Sequence, residues 1–126
     1  MNFQDNTLAL ICGGGPAPGI NNVIASVTIE ARNNGWDVLG ICDGFSSLAT
    51  ANKKVIPLTI DKVSRIHKEG GSIIRTSRFN PTKSEATMRT VVENLVDLGV
   101  THIVTIGGDD TAYAAYKVSG LSLLYN

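Results

Sequence analysis

Short apolar runs alternate with amphipathic stretches along this chain. Leu8-Ala9-Leu10-Ile11-Cys12 is continuous apolar sequence closed by glycines, the pattern of a strand buried on both faces of a parallel sheet. Gly13 to Pro18 holds three glycines and two prolines, which predicts a loop. From Gly19 to Asn33 the apolar positions Ile20, Val23, Ile24, Val27 and Ala31 recur at helical spacing, and Asn34-Gly35 supplies a left-handed stop. Trp36 to Cys42 reads as a second strand and completes a βαβ unit. Asp43-Gly44 then turns the chain into a polar loop that runs to Asn52.

The second half repeats the alternation. Val55-Ile56-Pro57-Leu58 predicts a short edge strand, since Pro57 cannot donate to a central ladder. Asp61 to Glu69 predicts a brief helix ended by Gly70-Gly71, and Ser72-Ile73-Ile74 begins another strand that leads into Arg75-Thr76-Ser77-Arg78. Ser84 or Thr82 can cap a helix with Met88, Val91, Val92, Leu95 and Leu98 on one face, closed by Gly99. His102 to Ile106 is a strand, Thr111 to Val118 a helix, and Leu121 to Tyr125 the next strand. Such alternation predicts a single α/β domain over residues 1–126, a three-layer sandwich with a mainly parallel sheet and helices on both faces. On this reading the sequence ends where the loop after its last strand should begin, as a truncated chain would.

Composition narrows the classes. With 11 basic and 11 acidic residues the chain carries no net charge, which argues against nonspecific nucleic-acid binding and against a polybasic membrane signal. No apolar run approaches the roughly 20 residues needed to span a bilayer. The start Met-Asn-Phe-Gln-Asp-Asn does not read as a secretory leader. Cys12 and Cys42 are too few for a disulfide framework or a zinc site, and both read as small core residues. His67, His102 and Lys53-Lys54 read as structural or solvated. A cytoplasmic protein is expected.

Three segments carry candidate chemistry. Gly107-Gly108-Asp109-Asp110-Thr111 follows a strand and opens a helix. Two glycines let the backbone approach a ligand, and two acids at an anion-favouring helix start suggest metal-assisted phosphate chemistry. Gly13 to Gly19 joins a strand to a helix, where backbone N–H groups can face an anion. It is neither a Walker A loop, because Ile20-Asn21 follows Gly19, nor G-x-G-x-x-G, because Pro18 stands where the third glycine is needed. Arg75-Thr76-Ser77-Arg78 offers planar guanidinium forks and hydroxyls to phosphate. The fold should bring all three to one sheet edge.

Taken in order, Gly14-Gly15-Pro16-Ala17-Pro18-Gly19-Ile20-Asn21, Gly70-Gly71-Ser72 to Thr76-Ser77-Arg78-Phe79, and Gly107-Gly108-Asp109-Asp110-Thr111 resemble the N-terminal region of the phosphofructokinase family over residues 8–119. The resemblance implies transfer of a phosphoryl group to fructose 6-phosphate, giving fructose 1,6-bisphosphate in glycolysis. Gly14, Gly15, Arg78, Gly108, Asp110 and Thr111 would bind the phosphoryl donor, with Gly15 donating its backbone N–H. Arg78 would steady the charge on the transferred phosphate, and Asp109 would organise Mg2+. Asp110 sets the subclass. ATP-using members commonly carry glycine there, which leaves room for the α-phosphate, whereas pyrophosphate-using members carry aspartate. Bulk and charge at Asp110 therefore point to pyrophosphate as donor. An ATP-dependent enzyme, or a fragment that binds phosphate without turnover, are the alternatives. A lipid or NAD kinase would explain residues 107–111 but give the other two segments no role. Ala25 and Ile29 stand where allosteric bacterial members carry effector-binding arginines. The family's catalytic aspartate lies in a Thr-Ile-Asp-Asn-Asp segment that these 126 residues do not contain. The chain alone is therefore expected to be inactive, and the full-length enzyme to be a homo-oligomer.

Overall fold

A computed structural model describes residues 6–15, 19–50, 53–66 and 72–123. Four strands, β1 (Thr7–Cys12), β2 (Asp37–Ile41), β3 (Val55–Leu58) and β4 (His102–Ile106), form one sheet in the order β3-β2-β1-β4. β1 pairs in parallel with β2 and with β4, and β3 runs antiparallel on the outside of β2. Pro57 of β3 sits opposite Leu39 on this edge strand, as a residue without an N–H requires.

The period of two along β1 builds both cores. Leu8, Leu10 and Cys12 face one way, into a cluster with Ile20 and Ile24 of helix α1 (Ile20–Asn33) and Val63 of α2 (Ile60–Val63). Ala9 and Ile11 face the other way, toward Val91 and Leu95 of α3 (Glu85–Asp97) and Ala114 and Val118 of α4 (Asp109–Ser122). The result is the expected three-layer α/β sandwich, with α1 on one face and α3 and α4 on the other. Ser84 caps α3 by accepting from the Thr87 N–H at 3.4 Å, and Thr59 caps α2 by accepting from Lys62 at 3.2 Å.

Several local expectations are corrected. Ser72 to Ile74 is a turn, not a strand. Its main-chain groups are satisfied locally and by α1: the Ile73 N–H donates to Asn21 Oδ1 at 2.9 Å and Arg75 N–H to the Ser72 carbonyl at 3.1 Å. β3 already occupies the outer edge of β2, so the sheet has no place there for another strand. The apolar signal came instead from Ile74, fully buried over Gly40, where a Cβ would lie 2.6 Å from Ile74 Cγ2.

The polar loop after Asp43 contains a 3-10 turn, Gly44–Ala49, that buries Phe45 and Leu48 against the α3 side. Their spacing of three matches the turn's period. The brief helix is only Ile60–Val63, and Glu69-Gly70-Gly71 and His67 lie outside the described residues, as do Pro16-Ala17-Pro18. Helix α4 starts two residues before Thr111 and continues through Leu121-Ser122, the first residues of the expected last strand; Leu124 and Tyr125 lie outside the described residues. Leu121 continues the buried series Thr111, Ala114, Val118 against the same core, so the helical period wins. On α1, Val23 is exposed, while Ala25 is buried in the core and Thr28 takes its place on the inner face.

Candidate functional site

From β1 the chain crosses to β2 on one side, and β4 joins β1 on the other. The loops that follow β1 and β4 therefore leave the sheet in different directions, and a crevice opens between them at the carboxyl edge. A cleft of about 460 Å³ lies there. Gly14, Gly15, Ser77, Arg78, Asp109 and Asp110 line it, so residues from all three predicted segments meet in one place.

Glycines let the two strand ends close on each other. The Gly13 N–H donates to the Ile106 carbonyl at 2.8 Å and ties the end of β1 to the end of β4. The buried Thr111 side chain, in the first turn of α4, fills the space over both Gly13 and Gly107, and a Cβ on either glycine would overlap Thr111 Oγ1. Gly107 thus makes room for the protein's own threonine, whereas Gly108 has open space where a Cβ would stand.

The arginine segment is laced to the first glycine loop. Gly13 and Ser77 form a parallel bridge, and the Gly14 N–H donates to the Ser77 carbonyl at 3.0 Å. That seating places the Arg78 guanidinium over Gly15, with Nη2 2.9 Å from where a Cβ would stand. The two arginines divide. Arg75 is held by Asp43 through two contacts, Nε to Oδ1 and Nη2 to Oδ2, each 2.8 Å. Arg78, Asp109 and Asp110 take part in no ion pair among the described residues, and Asp109 and Asp110 are exposed.

Helix termini complete the electrostatics. Both α1 and α4 start at a glycine, Gly19 and Gly108, without a side-chain cap, and both termini open at this edge of the sheet. Their first-turn N–H groups and dipoles favour a bound anion. The Arg78 guanidinium, the uncapped start of α4 and two carboxylates can hold a polyanion together with a hard divalent cation.

The remaining expectations fall outside the cleft. His102 stacks on Trp36 with ring centroids 4.6 Å apart and meets Thr101 Oγ1 through Nδ1 at 2.9 Å, a structural placement. Cys12 and Cys42 are buried free thiols. Burial pushes both thiols above their ordinary range, opposed at Cys12 by a hydrogen bond from Ser72 and at Cys42 by the Arg75 charge. Neither is disposed to act as a nucleophile. The sequence reading missed Asp43, Phe45 and Asn21. A lone Asp-Gly reads as an ordinary turn, and only the fold shows that Phe45 walls the cleft and Asn21 bonds the arginine loop.

The profile of the phosphofructokinase family matches residues 7–123. A pyrophosphate–fructose 6-phosphate 1-phosphotransferase of Thermotoga maritima is 59% identical over 112 residues, which cover 88% of this chain and 27% of that protein. One from Naegleria fowleri is 55% identical over 114 residues, covering 90% of this chain and 26% of that protein. An ATP-dependent 6-phosphofructokinase of Natranaerobius thermophilus is 34% identical, over 92% of this chain and 36% of its own. The chain thus spans about a quarter of the length of the first two relatives. The solved phosphofructokinase of Saccharomyces cerevisiae has the same fold, with a TM-score of 0.86 at 24% identity over 94% of this chain and 16% of that one.

Proposed function

The chain belongs to the phosphofructokinase family, and from that premise we propose that it is the phosphoryl-donor-binding part of an enzyme that transfers phosphate from pyrophosphate to fructose 6-phosphate. One observation carries the reading: the Arg78 guanidinium, in no ion pair among the described residues, is seated over Gly15 in the same cleft as Asp109 and Asp110, beside the uncapped start of α4. Phosphoryl transfer is catalysed mainly by positioning and charge neutralisation, and those are what this cleft offers.

In this reading Gly14, Gly15, Gly108 and the first turn of α4 at Thr111 frame the donor phosphates. Arg78 binds the transferred group and balances the charge that spreads over its oxygens. Among the described residues no cluster of three or more carboxylate, histidine or cysteine groups could cage a metal. That suits Mg2+, which keeps waters and takes only one or two carboxylates alongside phosphate oxygens. Asp109, exposed on the cleft, would hold it, and the ion would neutralise phosphate charge. The 126 residues contain no Thr-Ile-Asp-Asn-Asp segment to supply the general base. Two unpaired buried thiols suit a reducing cytoplasm, and among the described residues no helix is long and apolar enough to cross a membrane.

Asp110 selects the donor. Its carboxylate stands on the cleft wall at the second residue of α4, where bulk and negative charge oppose the α-phosphate of a nucleotide but not pyrophosphate. Titration calorimetry with magnesium pyrophosphate and with magnesium ATP tests this. The wild-type chain is expected to bind pyrophosphate more tightly than ATP, and Asp110→Gly to shift that preference toward ATP by about tenfold or more, equivalent to about 1.4 kcal/mol. Tighter binding of ATP by the wild type, or an unchanged preference in the variant, overturns the assignment.

A further inference from the structure

Only two non-glycine residues among the described ones hold left-handed backbone conformations, Asp43 at φ 61° and Arg75 at φ 58°. Side chains other than asparagine and aspartate seldom accept such angles without compensation from their surroundings. Here the two residues compensate each other. Their side chains form the two-contact ion pair described above, and the Asp43 N–H donates to the carbonyl of Ile74, one residue before Arg75, at 2.9 Å. A planar guanidinium fork matched to a carboxylate fixes orientation as well as distance.

The pair sits at the root of the cleft. Two residues beyond Arg75, Ser77 accepts from the Gly14 N–H, and three residues beyond it Arg78 lies over Gly15. Next to Asp43, Gly44 is pressed between strand and loop: a Cβ on it would lie 2.7 Å from the Cys12 carbonyl oxygen and 3.0 Å from the Ser77 Cβ. The turn after β2 thus grips the arginine loop from one side while the glycine loop after β1 holds it from the other. Between residues 75 and 78 no regular ladder fixes the chain, apart from the single bridge at Ser77.

We propose that Asp43 and Arg75 are positioning residues for the phosphoryl donor: their ion pair holds the loop so that Arg78 stays aligned over Gly15. Arg75 touches no donor atom and acts through Arg78. The proposal rests on the donor-site reading above, and the test separates the two. The variants are Asp43→Asn, which tolerates the left-handed angle but loses the ion pair, and Arg75→Gly, which loses the pair and removes the backbone strain. A double variant completes the cycle.

Two quantities are read on the 126-residue chain. One is the dissociation constant for magnesium pyrophosphate, and the other is hydrogen-exchange protection of the Gly14 amide. Each single variant is expected to melt within a few degrees of wild type, to bind magnesium pyrophosphate at least tenfold more weakly, and to lose Gly14 protection. The double variant is expected to be no worse than the weaker single one, because the pair is broken only once. Wild-type binding with unchanged Gly14 protection in Asp43→Asn overturns the proposal, as do additive losses in the double variant. If the wild-type chain does not bind pyrophosphate, the donor-site reading fails, and Gly14 protection across the cycle still decides whether the pair fixes the loop. An unfolded Asp43→Asn leaves Arg75→Gly to decide by the same two readings.

Discussion

At the scale of single residues, the site depends on what is missing as much as on what is present. Gly13 and Gly107 carry no side chain, so Thr111 can occupy the gap between the ends of β1 and β4. Gly13→Ala forces a Cβ into the Thr111 hydroxyl and is expected to cost about 1–3 kcal/mol, the usual penalty of overpacking a filled site. Thr111→Ala empties the same space, so the double variant should lose less than the sum of the single losses, with a coupling of about 1 kcal/mol in urea unfolding. Strictly additive losses would show that the two residues do not compete for one volume. Much of this was legible in sequence as glycine pairs after apolar runs, which mark a close backbone approach. What approaches was not legible, because Thr111 is near Gly107 in sequence but nearly a hundred residues from Gly13. The split between Arg75 and Arg78 was hidden for the same reason. Asp43, which claims Arg75, is a distant neighbour brought in by the turn after β2.

At the scale of elements, periodicity located β1, α1, β2, β3, α3 and β4 within a residue or two, because each buries a regular stripe against the same sheet. It failed where burial is local. Ile74 is a single plug over Gly40, not part of a strand, and Phe45 with Leu48 forms a one-turn apolar pair inside a polar segment. Helix α1 shows a further consequence of inner-face geometry. Thr28 is fully buried, and its hydroxyl has no hydrogen-bond partner among the described residues. An unpaired buried hydroxyl costs about 1–3 kcal/mol in desolvation. Thr28→Val replaces it with a methyl of the same shape and is expected to raise the melting temperature by about 3–5 °C, equivalent to about 1 kcal/mol for a domain of this size. A lower melting temperature would mean that the hydroxyl is satisfied after all. The uncapped starts of α1 and α4 contrast with the capped starts of α2 and α3. The start of α4 opens on the cleft, and its first-turn N–H groups remain available there.

At the scale of the whole molecule, the sheet is unevenly covered. β1 is buried throughout its last five residues, whereas β4 is only half-buried and, among the described residues, has no partner strand along its outer edge. β4 carries no lysine, arginine, aspartate, glutamate or proline, so among the described residues none of the usual guards protects that edge. Beside it, a trough of about 730 Å³ between α3 and α4 is lined by Leu95, Val96, Val118 and Leu123, of which Val96 and Leu123 are exposed. The 126-residue chain is therefore expected to self-associate, and Val96→Lys with Leu123→Lys to shift it toward monomer in light scattering. A monomeric wild type would show that the flank is not adhesive. The sequence by itself determined the alternation of strands and helices, the three-layer fold class, the family and the three segments that could meet an anion. These follow from local periodicity, glycine placement and residue type, which are properties of short windows. Only the tertiary structure decided which arginine Asp43 claims, what the glycines make room for, and that the arginine segment is a clamped loop and not a strand. Those outcomes depend on competition for one volume or one partner between residues far apart in the chain, and no local pattern records who wins it.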